Sequence, residues 1–188
     1  MNASARLQNM TVSTVAEEEG DTLLLWILVW SELIAFGILL AGFLVMSLLE
    51  PERFALARHY LNPGLAALNT LILLSSGWQA ALAARRTAPP VEVRRSLVIA
   101  AFLGFAFMAV KLAEYAGEVG HAGEEALSGF FEIYFLITGF HLLHVVFGSV
   151  ILLIVAWRPA RQNVLMITTL WHVIDLVWIV MFPILYLA

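Results

Sequence analysis

From Phe130 to Trp157 the chain reads FFEIYFLITGFHLLHVVFGSVILLIVAW. A helix needs about 20 apolar residues to cross a hydrocarbon layer about 30 Å thick. This run exceeds that length. It is also far too long and continuous for a barrel strand of about 10 residues. In hydrocarbon every backbone group must be satisfied internally, which leaves a transmembrane helix. Outward from it, four further runs qualify: 22–49, 63–84, 95–116 and 164–187. The expected fold class is all-α, an integral membrane bundle of five transmembrane helices. Residues 1–21, ending in Glu17-Glu18-Glu19-Gly20-Asp21, are expected to form a flexible polar tail ahead of a membrane domain at 22–188. The tail lacks the basic start and short apolar core of a signal peptide.

Composition agrees. Of 188 residues, 62% are hydrophobic and 13% charged, against about 45–50% and about 25% in soluble domains. The polar residues are too few to coat a soluble core of that size. A net charge of −4 leaves no basic footprint for nucleic acid. With no cysteine in the chain, disulfides, thiolate metal sites, iron–sulfur clusters and covalent haem attachment are excluded.

Prolines, glycines and charges mark the breaks. Glu50-Pro51-Glu52-Arg53 and Asn62-Pro63 bracket the first loop, and Arg85 to Pro90 fills the second. Gly117, Gly120 and Gly123 with Glu118, Glu124 and Glu125 are expected to form the third, and Arg158-Pro159-Ala160-Arg161 the fourth. Small residues four apart, at Gly37/Ala41, Gly77/Ala81 and Ala100/Gly104, suit close helix approach. Arg6, Arg85, Arg86, Arg94, Arg95, Arg158 and Arg161 share one side of a five-span topology, against Arg53 and Arg58 on the other. The positive-inside rule then places the N-terminus in the cytoplasm and the C-terminus in the periplasm of a bacterial inner membrane.

Ionisable groups inside spans are costly, so each needs a partner and a reason. Glu32 lies in the first span, Lys111 and Glu114 in the third, His141 and His144 in the fourth, and His172 and Asp175 in the fifth. At about 1.5 Å per residue, Glu32, His141, His144, His172 and Asp175 fall within about 5 Å of the bilayer centre. The pairs His141/His144 and His172/Asp175 are each three apart and share a helix face. Both faces are expected to point inward and form a hydrogen-bonded polar network. Lys111 and Glu114 form an outer pair, with the lysine expected to snorkel towards the interface. Loss of Asp175 is therefore expected to cost more stability than loss of Lys111. His59 and His121 are expected in solvated loops, and tryptophans near mid-span are expected to pack. Three meanings are open for the network: helix docking, a surface for lipid or a neighbouring subunit, and a metal or haem site.

Two stretches carry a family resemblance. Thr138-Gly139-Phe140-His141-Leu142-Leu143-His144-Val145-Val146-Phe147-Gly148 and Leu170-Trp171-His172-Val173-Ile174-Asp175-Leu176-Val177-Trp178 resemble the signature helices of cytochrome oxidase subunit III. Ser31-Glu32 resembles the family's Ser-Glu motif, whose glutamate reacts with a carbodiimide in some members. The stretch from Leu68-Asn69-Thr70 to Ser75-Ser76 and the pair Glu114-Tyr115 resemble two further family helices. Mitochondrial-type members have seven spans. The five-span form resembles quinol oxidase subunit III and the subunit-III-like proteins that accompany nitric oxide reductases. Lys111 and Leu142-Leu143 are more similar to the latter.

The resemblance implies a non-catalytic accessory subunit, not an enzyme by itself. It would pack against the catalytic subunit of a haem-copper oxidase or nitric oxide reductase, stabilise it and support proton uptake. It implies no haem, copper or other cofactor in this chain, whose five histidines are too few for the catalytic ligand set. Phospholipid is a possible further partner, although two helices that wall the lipid cleft of seven-span members have no counterpart here. Two alternatives stay open: a membrane haem or metal-binding electron carrier using His141, His144 and His172, and a small proton-coupled transporter.

Overall fold

The computed structural model describes residues 3–122 and 127–187, with backbone alone at 3–19, 21, 22, 121 and 122. The elements among the described residues are helices, in the order α1 (Ala3–Leu49), α2 (Pro51–Arg58), α3 (Pro63–Ala83), α4 (Pro90–Ala122), α5 (Ser128–Trp157) and α6 (Arg161–Tyr186). Five of them are long and apolar enough to cross a membrane: Leu23–Leu49, Pro63–Ala83, Pro90–Gly120, Ser128–Trp157 and Arg161–Tyr186.

The helix boundaries follow local chemistry. Pro51 and Pro63 stand in the first turns of α2 and α3, where a missing N–H costs nothing. The Asn62 side chain caps α3 by accepting from the Leu65 N–H at 3.1 Å. At the other end of α3, the Arg161 guanidinium donates to the carbonyls of Arg85 (3.0 Å) and Ala84 (2.6 Å). A cation there satisfies orphan carbonyls and opposes the helix dipole. The same contact ties the start of α6 to the end of α3.

Three boundaries differ from the sequence expectation. The helix of α1 begins at Ala3, so the stretch read as a flexible tail is helical. It contains good helix formers such as alanine, leucine, glutamine and glutamate, and no proline. The first loop folds into the two turns of α2, in which Phe54 and Ala57 are buried and after which His59 is exposed. The helix of α4 continues past Gly117 and Gly120 to Ala122. A glycine in a helix costs about 1 kcal/mol but does not end it. Gly123, Glu124 and Glu125 lie outside the described residues, as does the side chain of His121.

The chain divides into two compact units, Met1–Ala35 and Phe36–Ala188. The first is a length of α1. Leu24, Trp26, Ile27, Trp30 and Ile34 are exposed on it, an apolar surface suited to hydrocarbon. Ser31 Oγ donates to the Leu28 carbonyl at 2.8 Å, and Glu32 is partly buried.

In the second unit α3 packs on α4, α4 on α5, α5 on α6 and α6 back on α3, closing a four-helix ring. The remaining turns of α1 lean on α5, with Phe36 5.1 Å from Phe140 and Phe43 5.8 Å from Phe130 between ring centroids. Glycines set the closest approaches. A Cβ at Gly148 would stand 2.8 Å from the Trp171 ring, and one at Gly104 2.9 Å from it. The two glycines thus open the slot that Trp171 of α6 fills. Its indole N–H donates to Ser76 Oγ at 3.1 Å, and Ser76 donates to the Ala100 carbonyl at 2.8 Å. About two turns further on, the Trp178 N–H donates to Thr70 Oγ1 at 3.0 Å. Trp171 and Trp178 are fully buried packing residues, whereas Trp78, at a similar depth in α3, is 63% exposed. Gly77 also meets α6 closely, whereas nothing lies within 4 Å of a Cβ at Gly37. The close-approach reading therefore fails at Gly37/Ala41.

Candidate functional site

Lys111 is fully buried, contrary to the expectation that it snorkels to the interface. Its ammonium has three protons to donate, and all three have acceptors. Nζ lies 2.9 Å from Glu114 Oε2 and 2.8 Å from the Tyr134 hydroxyl, and it donates to the Tyr186 hydroxyl. Aromatic faces complete the enclosure, with Nζ 4.9 Å from the centre of the Tyr134 ring and 5.6 Å from that of Trp178. Such faces attract a cation electrostatically. The direction of the side chain is what buries it: α4 turns Lys111 into the helical ring, where Glu114, Tyr134 of α5 and Tyr186 of α6 hold the ammonium.

The cluster is larger than the Lys111–Glu114 pair. Tyr186 donates to Glu114 Oε1 at 2.9 Å, and Tyr134 donates to Glu118 Oε1 at 3.1 Å. The two hydroxyls lie 2.8 Å apart. With both hydroxyl protons given to carboxylates, it is Lys111, donating to both hydroxyls, that joins the Tyr186–Glu114 and Tyr134–Glu118 hydrogen bonds into one cluster. Beside it, the Tyr115 hydroxyl donates to Thr138 Oγ1 at 2.7 Å. Sequence reasoning missed Glu118, Tyr134 and Tyr186. Glu118 follows Glu114 by four and Lys111 by seven, one face of a helix, but it was assigned to a loop. The two tyrosines carry no local signal, because α5 and α6 bring them in from distant sequence.

The mid-span residues are arranged differently. His141 is fully buried, stacked on Trp178 at 5.4 Å and edge-on to Phe107 at 5.7 Å. Neither of its ring nitrogens has a hydrogen-bond partner. His144 Nδ1 lies 2.7 Å from the Phe140 carbonyl, and its ring centre lies 5.5 Å from that of Phe36. His172 and Asp175 come together, Nδ1 to Oδ2 at 3.8 Å. His172 does not point into the ring as expected: its side chain is 46% exposed, while that of Asp175 is 9% exposed. Residues three apart differ by about 60° around a helix, enough for one to turn inward and the other outward. Glu32 lies in the first compact unit. Among the described residues, no group of three or more His, Cys, Asp or Glu is placed to hold a metal ion.

Five apolar spans, a closed helical ring and charged groups turned towards aromatic and hydroxyl partners define a polytopic helical membrane protein. With its bacterial relatives, they make it a multi-pass protein of the bacterial inner membrane. The family described as cytochrome c oxidase subunit III matches residues 8–188, and the chain belongs to that family. Cytochrome bo(3) ubiquinol oxidase subunit 3 of Buchnera aphidicola subsp. Schizaphis graminum is 28% identical over 176 residues, covering 87% of this chain and 91% of the relative. Cytochrome c oxidase subunit 3 of Thermostichus vulcanus is 29% identical over 185 residues, covering 92% and 90%. Cytochrome c oxidase subunit 3 of Corynebacterium diphtheriae is 31% identical over 138 residues, covering 68% and 67%.

Proposed function

We propose that this chain is the non-catalytic accessory subunit III of a haem-copper respiratory complex, where it stabilises the catalytic subunit and supports steady proton uptake. The observation that carries the reading is the family match across residues 8–188. The geometry is in keeping with it. Lys111, Glu114, Glu118, Tyr134 and Tyr186 spend their hydrogen bonds on one another, as groups that fix helix docking do. Of the mid-span groups, His141 packs inside the same ring, against Trp178 and Phe107. The N-terminus is cytoplasmic and the C-terminus periplasmic, by the distribution of arginines.

Two relatives named as ubiquinol and cytochrome c oxidase subunits favour an oxygen-reducing complex. Lys111 and Leu142-Leu143 are the features on which a nitric oxide reductase rests as the second reading. Affinity purification of the tagged chain from native membranes in mild detergent tests both. A haem-bearing partner should co-purify, and its oxygen and nitric oxide consumption should be measured on the same sample. Recovery of the chain without any haem protein would overturn the proposal.

A further inference from the structure

His172 and Asp175 open onto a groove of about 430 Å³ between α3 and α6, walled by Leu74, Trp78 and Leu176. The site is built. A Cβ at Gly77 would stand 2.5 Å from Asp175 Oδ2 and 3.5 Å from His172 Nδ1, so the pair lies directly against the bare backbone of α3 and a larger residue there would displace the carboxylate. Yet the pair does not satisfy itself. Its 3.8 Å separation is too long for a hydrogen bond. Asp175 Oδ1 is shielded from the groove and has no hydrogen-bond partner, so the atoms a further group can meet are Asp175 Oδ2 and the half-exposed His172 ring.

Depth decides what can complete it. The midpoint of α6 falls between Val173 and Ile174, so with the span centred both groups lie about 2 Å from the bilayer centre. Lipid headgroups begin about 15 Å away. Acyl chains offer neither donors nor acceptors, and an ionisable group facing them is expensive. A helix that carries a hydrogen-bonding side chain at mid-membrane would meet both needs of this groove, apolar cover and a partner for the pair. Trp78 and Leu176, 63% and 52% exposed beside the pair, supply apolar area for such a helix.

We infer that the α3–α6 face centred on Gly77, His172 and Asp175 docks a transmembrane helix of the catalytic subunit. That helix presents a hydrogen-bonding side chain to Asp175 and His172. The inference rests on the accessory-subunit reading and gives it a surface.

The cysteine-free chain allows a direct test in assembled complex. Leu176→Cys in the groove and Phe102→Cys on α4, 64% exposed, are each labelled with a benzophenone maleimide and irradiated in native membranes. Position 176 should crosslink to the catalytic subunit with a yield at least about tenfold above position 102. Asp175→Leu should release the chain from the complex at least about tenfold faster, as loss of a central interface contact does. Crosslinks from 176 to lipid only, to a second copy of this chain, or to nothing while the complex still co-purifies would overturn the docking face alone. Absence of any co-purifying catalytic subunit would overturn the accessory-subunit reading with it.

Discussion

Lys111 Nζ sits 2.9 Å from Glu114 Oε2, with the two side chains 0% and 1% exposed. Two tyrosine hydroxyls complete the ammonium's coordination. Removing one member of such a buried pair strands the other without water, at a cost of about 3–5 kcal/mol. Lys111→Met keeps most of the side-chain volume and removes the charge. It should destabilise the helical ring by about 3–5 kcal/mol, and by more than Asp175→Asn. Unfolding in detergent, followed by circular dichroism or tryptophan fluorescence, measures both. A larger loss from Asp175→Asn would contradict the buried-pair account.

The glycine slot gives a second prediction. Gly148→Ala would place a methyl group 2.8 Å from the Trp171 ring, and Gly104→Ala one 2.9 Å from it. Overpacking of this kind costs about 1–3 kcal/mol. Gly139→Ala, with nothing within 4 Å of its Cβ, should be neutral or slightly stabilising, since alanine is the better helix former. Melting temperatures of the three variants should separate accordingly. Equal melting temperatures would remove the packing role of the slot.

The five spans were legible because apolar length is a local signal that tertiary packing cannot erase. Four of the five span C-terminal ends fell close to their expected places, at Leu49, Ala83, Trp157 and Tyr186. The end of α4 did not, because Gly117 and Gly120 read as a loop while the helix continues. That boundary took Glu118 off the helix face it shares with Glu114. The burial of Lys111 was not legible for another reason, because Tyr134 and Tyr186 reach it from distant sequence. The outward turn of His172 was not legible either. Sequence spacing groups His172 with Asp175, but only the position of α3 decides which of them is covered.

The Arg161 cap yields a third prediction. Its guanidinium bonds two carbonyls at the end of α3 at an exposed site. Arg161→Ala should therefore cost only about 0.5–1.5 kcal/mol, far less than Lys111→Met. Hydrogen exchange should show faster amide exchange near Ala84 and little change at Tyr134. A global loss of protection would show that the cap matters more than its exposure implies.

Orientation follows from the arginine bias and can be read on a cysteine-free background. Thr87→Cys should resist a membrane-impermeant maleimide in intact cells, and Arg53→Cys should react. The reverse pattern would invert the topology, and equal labelling would contradict the span count.

The proposed role, support of a catalytic subunit by a chain that carries no redox chemistry itself, is open to one decisive experiment. The chain is deleted, the partner complex purified, and cofactor spectra, initial rate and rate over many turnovers compared with the intact complex. Intact haem and copper spectra are expected, with a modest fall in initial rate and activity that decays roughly several-fold faster under turnover, since lost support shows as a loss of kinetic stability. An unchanged rate together with an unchanged lifetime would contradict it.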